Sequence, residues 1–289
     1  MRVHSLNCGT FCPLSRRLFN GTGSLFERGR LVCNCLLLET GDGLALVDTG
    51  FGLGDIDRPL SHIGPVWGAI NRPHLTPRLT AHHQVEQLGY RPSDVRHIIL
   101  THLDFDHAGG LPDFPHARVH VHANEHDSVL YDWSVLKRRR YLPANWAHRP
   151  RWKLYHGDGD RWMGFEGVQA VEGLGMEVLL VPLFGHSDGH CGVAIRLRNV
   201  WLLHCGDAYF HHWEIASEGA RTPLGLAAYE NIYQENRSLR LRNLERLRDL
   251  VNERLDQVWI MNSHDPVYAE RAESMLQVPV DEERRAVRM

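Results

Sequence analysis

The stretch Thr101-His-Leu-Asp-Phe-Asp-His-Ala-Gly-Gly110 places His102, Asp104, Asp106 and His107 within six residues, directly after the apolar run His97-Ile-Ile-Leu100. A short apolar run bounded this way reads as a buried strand that delivers the chain to a loop rich in imidazole and carboxylate. Those are the groups that proteins offer to divalent cations. In an extended segment alternate residues share a face, so His102 and Asp104 can point the same way. Asp106 and His107 are adjacent and must diverge, which suits a second cation position beside the first. Ala108-Gly109-Gly110 then offers a tight turn where side chains would crowd the ions. The competing reading, a solvated polar loop with two chance histidines, loses ground to three segments further along.

Each of those segments brings a ligand type to the end of an apolar strand. Val178-Leu-Leu-Val-Pro-Leu-Phe184 runs into Gly185-His186-Ser187-Asp188-Gly189-His190, and Val200-Trp-Leu-Leu203 into His204-Cys205-Gly206-Asp207. Val258-Trp-Ile-Met261 runs into Asn262-Ser263-His264-Asp265. Strand ends hold side chains rigidly while leaving room for a ligand. His186, Asp207 and His264 are therefore the candidates that complete the site.

Leu46-Val-Asp-Thr-Gly50, the His102 to His107 motif, His186, Asp207 and His264 follow one another in an order that resembles the metallo-β-lactamase superfamily, over most of the chain. The resemblance implies an α/β fold, an αββα sandwich of two sheets flanked by helices. It assigns His102, Asp104 and His186 to a first metal position and Asp106, His107 and His264 to a second. Asp207 becomes the bridging carboxylate, and Asp48 the aspartate that orients a ligand histidine. The implied cofactor is two divalent metal ions, zinc first, with iron or manganese as alternatives. One departure stands out, because the family usually has His where this chain has Asp104. Asp104, Asp106, Asp207 and a bridging hydroxide supply four negative charges against two divalent cations, and oxygen-rich coordination moves preference away from zinc. A mononuclear site on Asp106, His107 and His264 is the alternative.

Phe105, Gly109-Gly110 and Gly206-Asp207-Ala208 resemble the N-acyl homoserine lactonase branch. That implies opening of lactones, or cleavage of esters, by a metal-bound hydroxide, with Asp106 and Asp207 taking part in the chemistry. Tyr209 is a candidate donor to the carbonyl or leaving oxygen. A packed aromatic is the equal alternative, since the tyrosine of the resembled lactonases falls where this chain has Phe210. Other readings are a thioesterase of glyoxalase II type, a phosphotriesterase and, in another class, a di-iron redox protein whose oxidised iron a carboxylate at Asp104 would stabilise. A binding protein with a degraded site is opposed by the near-complete ligand set.

Composition agrees with an enzyme acting on a small molecule. The chain has 289 residues, 43% of them hydrophobic, and a net charge of −3, so it has no basic surplus for nucleic acid. One domain over residues 1–289 is expected, with a homodimer as the open assembly question. No membrane association is expected, because the first 19 residues lack an apolar signal core and no stretch is long enough to span a bilayer; a cytoplasmic location follows as the default. Six cysteines without C-x-x-C spacing read as reduced and mostly buried, Cys205 included. Of the 20 histidines, His120 and His122 read as the exposed face of a strand, and His82, His83, His211 and His212 as surface or supporting residues.

Strands are expected around Leu31–Leu38 and Leu44–Asp48, with helices near Ala81–Leu88 and along a stripe of Leu239, Leu244, Leu247, Val251 and Leu255. Residues 54–79, with four prolines and Trp67, read as an ordered excursion without regular structure. Residues 131–165 read as an aromatic-rich insertion that either walls the substrate pocket or forms a dimer surface. The run Lys137-Arg-Arg-Arg140 within it reads as a solvated face or an anchor for an acidic group.

Overall fold

The computed structural model describes residues 2–131 and 140–277. Its frame is two six-stranded sheets, β1-β2-β3-β4-β5-β6 and β12-β11-β10-β9-β8-β7. The first comprises β1 (Val3–Phe11), β2 (Leu31–Thr40), β3 (Gly43–Val47), β4 (Val95–Ile99), β5 (Arg118–His122) and β6 (Arg151–Tyr155). The second comprises β7 (Asp160–Trp162), β8 (Phe165–Ala170), β9 (Val178–Pro182), β10 (Cys191–Arg196), β11 (Trp201–His204) and β12 (Val258–Met261).

The uninterrupted apolar runs have a simple cause, in that both faces of these strands are covered. Cys35, Leu37, Leu44, Leu46 and Ile98 face outward from the first sheet, into a cluster with Ala81 and Val85 of the helix Ala81–Gln87. The alternating residues Leu36, Leu38, Ala45, Val47 and Ile99 face inward and meet Val178, Leu180, Val193 and Ile195 of the second sheet. On the far side Val181, Ala194 and Leu203 pack on Leu244, Leu247 and Leu250 of the helix Arg237–Arg254. Helix, sheet, sheet, helix is therefore the layer order, and each fully buried leucine contributes roughly 2 kcal/mol to it.

Several expectations need correction. His120 and His122 are buried, because β5 lies between two parallel neighbours with both faces covered. His211 is buried as well, as the capping residue that accepts the amide of Trp213. Leu255 lies beyond the helix end and is 50% exposed, and Leu250 takes its place in the core stripe. Residues 54–79 contain the helices Pro59–His62 and Pro65–Asn71 and the 3₁₀ turn Pro77–Leu79. Their prolines open these elements, where the missing N–H costs nothing.

The segment 140–165 belongs to the scaffold, since it supplies β6 and β7, the edge strands of both sheets. Trp146 and Trp152 pack on the outer core of the first sheet. Trp133 and Lys137 to Arg139 lie outside the described residues. The six cysteines are free, and all but Cys12 are buried. Among the described residues no helix is long and apolar enough to cross a membrane.

Candidate metal centre

The carboxyl ends of five strands converge between the sheets. The chain leaves β3 at Asp48, β4 at Thr101, β9 toward His186, β11 toward Asp207 and β12 toward His264. Asp106 and His107 lie on the helical turn Phe105–Ala108, which Asp104 precedes. Gly206, at φ 56°, lets the chain reverse there, and a Cβ at this position would lie 2.5 Å from Nε2 of His190. The expected tight turn at Gly109-Gly110 has a different basis. Gly109 has φ −60°, and its missing side chain makes room for the Gly50 carbonyl and the Asp55 carboxylate.

All seven expected ligands meet in one buried cluster around Asp207. Nε2 of His102 lies 3.2 Å from Oδ2 of Asp104 and 3.9 Å from Oδ2 of Asp207. Nε2 of His186 lies 3.1 and 3.6 Å from the same two oxygens. On the other side, Nε2 of His107 is 3.3 Å from Oδ1 of Asp207 and 3.8 Å from Oδ2 of Asp106. Nε2 of His264 is 3.0 Å from Oδ2 of Asp207 and 3.7 Å from Oδ2 of Asp106. Asp207 therefore stands between a group made of His102, Asp104 and His186 and another made of Asp106, His107 and His264.

Hydrogen bonds behind the cluster set the ring tautomers. Asp48 accepts from the Thr101 amide and hydroxyl, both at 2.8 Å, and faces Nδ1 of His107 at 2.9 Å. Burial opposes ionisation of Asp48, but His107, His204 and His102 outweigh it and hold its carboxyl low. An ionised Asp48 only accepts, so His107 carries its proton on Nδ1. The Thr101 hydroxyl hydrogen is spent on Asp48, so the same oxygen accepts from Nδ1 of His102 at 2.9 Å. Nδ1 of His264 donates to the Val32 carbonyl at 2.8 Å. All three rings thus present an Nε2 lone pair to the centre.

Two of those nitrogens lack partners in the protein, while Nε2 of His264 faces Oδ2 of Asp207 at 3.0 Å. Nε2 of His102, Nε2 of His107 and Oδ1 of Asp207 are buried with no hydrogen bond. Each such atom costs about 1–3 kcal/mol, a cost that a cation removes. The electrostatics agree. Burial pushes the His107 imidazole down, yet Asp207, Asp106 and Asp48 raise it well above its ordinary value. Burial would raise Asp207, but His264 and His107 hold it well below the carboxylate range. The donor set, imidazole nitrogens facing carboxylate oxygens, fits a divalent ion beside Asp106, His107, Asp207 and His264, which would take the place of the proton that the surrounding carboxylates favour on His107.

Three residues at the site escaped the sequence reading, and a fourth, Arg140, stood in a run read as a solvated face or an anchor for an acidic group. Glu125, wholly buried on the helix Ala123–Leu130, accepts from the Leu103 amide, the Ser187 hydroxyl and the Gly189 amide. It ties the 101–110 loop to the loop that carries His186. His190 accepts the Asp207 amide at 2.9 Å and so positions the carboxylate. The Cys33 thiol can group with Asp106 and His264, and burial pushes its pKa up. Arg140 holds Asp104 through both oxygens.

Tyr209 does not join the cluster. It is wholly buried in the core with Ala208, Ile215 and Leu244, its ring near Tyr268. The next residue faces the site instead, for the Phe210 ring stacks on His264 at 5.0 Å and 14°. The chain turns at Gly206-Asp207, where the Ala208 amide donates back to the Cys205 carbonyl at 3.2 Å, and it leaves that turn with the phenol in the core and the next ring toward His264.

Comparison with known proteins agrees with this geometry. The family model for the metallo-beta-lactamase superfamily matches residues 28–255. A Mycobacterium tuberculosis protein named "Probable metallo-hydrolase" is 40% identical over 266 residues, covering 92% of this chain and 81% of that protein. An N-acyl homoserine lactonase of Bacillus cereus is 29% identical over 196 residues, 66% of this chain and 69% of that one. An N-acyl homoserine lactone hydrolase, solved with N-hexanoyl-L-homoserine at its catalytic metal centre, superposes with a TM-score of 0.69 at 22% identity. That alignment covers 93% of this chain and 95% of the other. With its αββα layers, its strand-end histidines and aspartates and the family match over most of its length, the chain belongs to the metallo-beta-lactamase superfamily, as a metal-dependent hydrolase.

Proposed function

We propose that this hydrolase opens lactones that carry an apolar chain. The observation that supports hydrolysis is the set of unpaired buried atoms, Nε2 of His102, Nε2 of His107 and Oδ1 of Asp207. The lactone assignment draws on the similarity to N-acyl homoserine lactonases. Aromatic rings beside His264 support the apolar chain. Phe11 lies 5.7 Å from that imidazole and 5.2 Å from Trp67, and Trp67 in turn packs on Phe105 at 4.9 Å. An apolar flank of this kind holds an acyl tail and helps position the carbonyl.

A divalent cation bound here supplies Lewis acidity and lowers the pKa of water from about 16 to about 7. The chain contributes the rest. His107 and His264 are held with Nε2 toward the centre by Asp48 and the Val32 carbonyl. Asp207, fixed through its amide by His190, orients the attacking water, and Asp106, whose carboxyl burial pushes up, receives its proton for delivery to the leaving alkoxide. The redox alternative loses its basis, because Arg140 neutralises the surplus charge of Asp104.

The test is a panel of lactones, aryl esters, thioesters and phosphotriesters, each with short and long chains. Lactones should show the highest kcat/KM, with long chains preferred. The His107→Ala variant should lose metal and turnover together. Faster turnover of thioesters would overturn the lactone assignment, and a His107→Ala protein with full metal content and rate would overturn the site.

A further inference from the structure

We infer that the guanidinium of Arg140 takes the place of one of the two cations, so that this hydrolase holds a single divalent ion, beside Asp106, His107, Asp207 and His264. The inference rests on the metal-dependent reading above and adds the composition of its centre. Nε of Arg140 donates to Oδ1 of Asp104 at 2.6 Å, and Nη2 donates to Oδ2 at 2.7 Å. Nη2 also lies 2.8 Å from Nε2 of His186. Nη1 donates to the backbone carbonyls of His186 at 3.2 Å and of Tyr233 at 2.6 Å. A guanidinium has five N–H donors. All five are used here, on a side chain only 12% exposed.

The lone pairs that Arg140 occupies are those an ion would need. Both Asp104 oxygens and Nε2 of His186 point at the guanidinium, whereas zinc binds such atoms at about 2.0–2.2 Å. An ion at that distance from His186 would lie within contact of Nη2. To admit it, Arg140 must abandon two carbonyls and a bidentate carboxylate pair, and its charge must find another partner out of water. The unpaired atoms tell the same story. Beside the retained ion Nε2 of His107 and Oδ1 of Asp207 are unpaired, whereas the Asp104 oxygens and Nε2 of His186 are not, and of the atoms that His102, Asp104 and His186 turn to the centre only Nε2 of His102 is left without a partner, out of reach of Arg140. A carboxylate at residue 104 is then explained, since it forms the planar bidentate pair with arginine that an imidazole there could not.

The protein as purified, stripped with chelator and dialysed against buffered zinc, should bind one zinc per chain by elemental analysis. Cobalt(II) should develop its absorption in one step ending at one equivalent. The double variant Arg140→Met/Asp104→His, which removes the guanidinium and supplies an imidazole, should bind two. Two equivalents of similar affinity in the unaltered protein would overturn the inference, as would a folded double variant that still takes one. No zinc at all in the unaltered protein would instead overturn the metal-dependent reading beneath it. The stoichiometry of the unaltered protein decides even if the double variant does not fold.

Discussion

Asp48 shows how much of the site depends on one carboxylate behind it. It stands at φ 54°, in the left-handed region, immediately after β3. Non-glycine residues adopt that conformation at some cost, aspartate and asparagine least, and they do so mostly where function requires it. From there Asp48 holds Thr101 and His107, and through Thr101 it reaches His102. Asp48→Asn keeps the backbone preference but places an N–H₂ against groups that must donate. We expect roughly ten- to a hundredfold weaker zinc binding with the fold retained, measured by competition with a chromophoric chelator. Unchanged affinity would show that the tautomer of His107 does not depend on Asp48. Asp48 was legible in the sequence through its motif. Arg140 was not, because a basic run says nothing of which arginine turns inward or what it meets.

At the scale of elements, apolar runs told where strands end, and strand ends told where ligands stand. The runs did not say which helices would cross-brace the loops between them. Glu125 performs that task from the helix Ala123–Leu130, reaching across to Leu103, Ser187 and Gly189. Gly189 allows the approach, since a Cβ there would lie 2.1 Å from the Glu125 amide. Glu125→Gln preserves shape but turns a donor toward groups that already donate. We expect a loss on the order of 2 kcal/mol, read as a lower urea midpoint with the same slope. An unchanged midpoint would mean that the two loops hold their positions without this carboxylate. The sequence pattern passed over Glu125 because a lone acid near a helix start usually faces water, and only tertiary packing shows it with no solvent contact.

At the scale of the whole molecule, burial of histidine makes stability depend on pH. His120 lies in the chain of hydrogen bonds from His97, at 2.9 Å, to the Tyr155 hydroxyl, at 2.9 Å, wholly out of solvent. Burial, with His97 and Arg118 nearby, pushes its pKa down to about 3. The unfolded chain binds a proton near pH 6.5 that the folded chain refuses, so this contribution is complete above pH 6.5 and declines as pH falls toward 3. The expected loss from this residue between pH 7 and pH 5 is about 2 kcal/mol. His120→Gln should therefore show a flatter decline than the unaltered protein in urea titrations at those two pH values. Parallel declines would assign the acid sensitivity to other groups. Taken alone, the sequence determined the strands that lead to the site, the side chains at their ends and the family, because apolar periodicity and ligand spacing are local properties of the chain; it missed β1 and took the segment that supplies β6 and β7 for an insertion. Only the tertiary structure decided that Arg140 meets Asp104, that Phe210 faces the site in place of Tyr209, and that His120 is buried. Each of those depends on which face of an element a distant segment covers, and local sequence does not encode that.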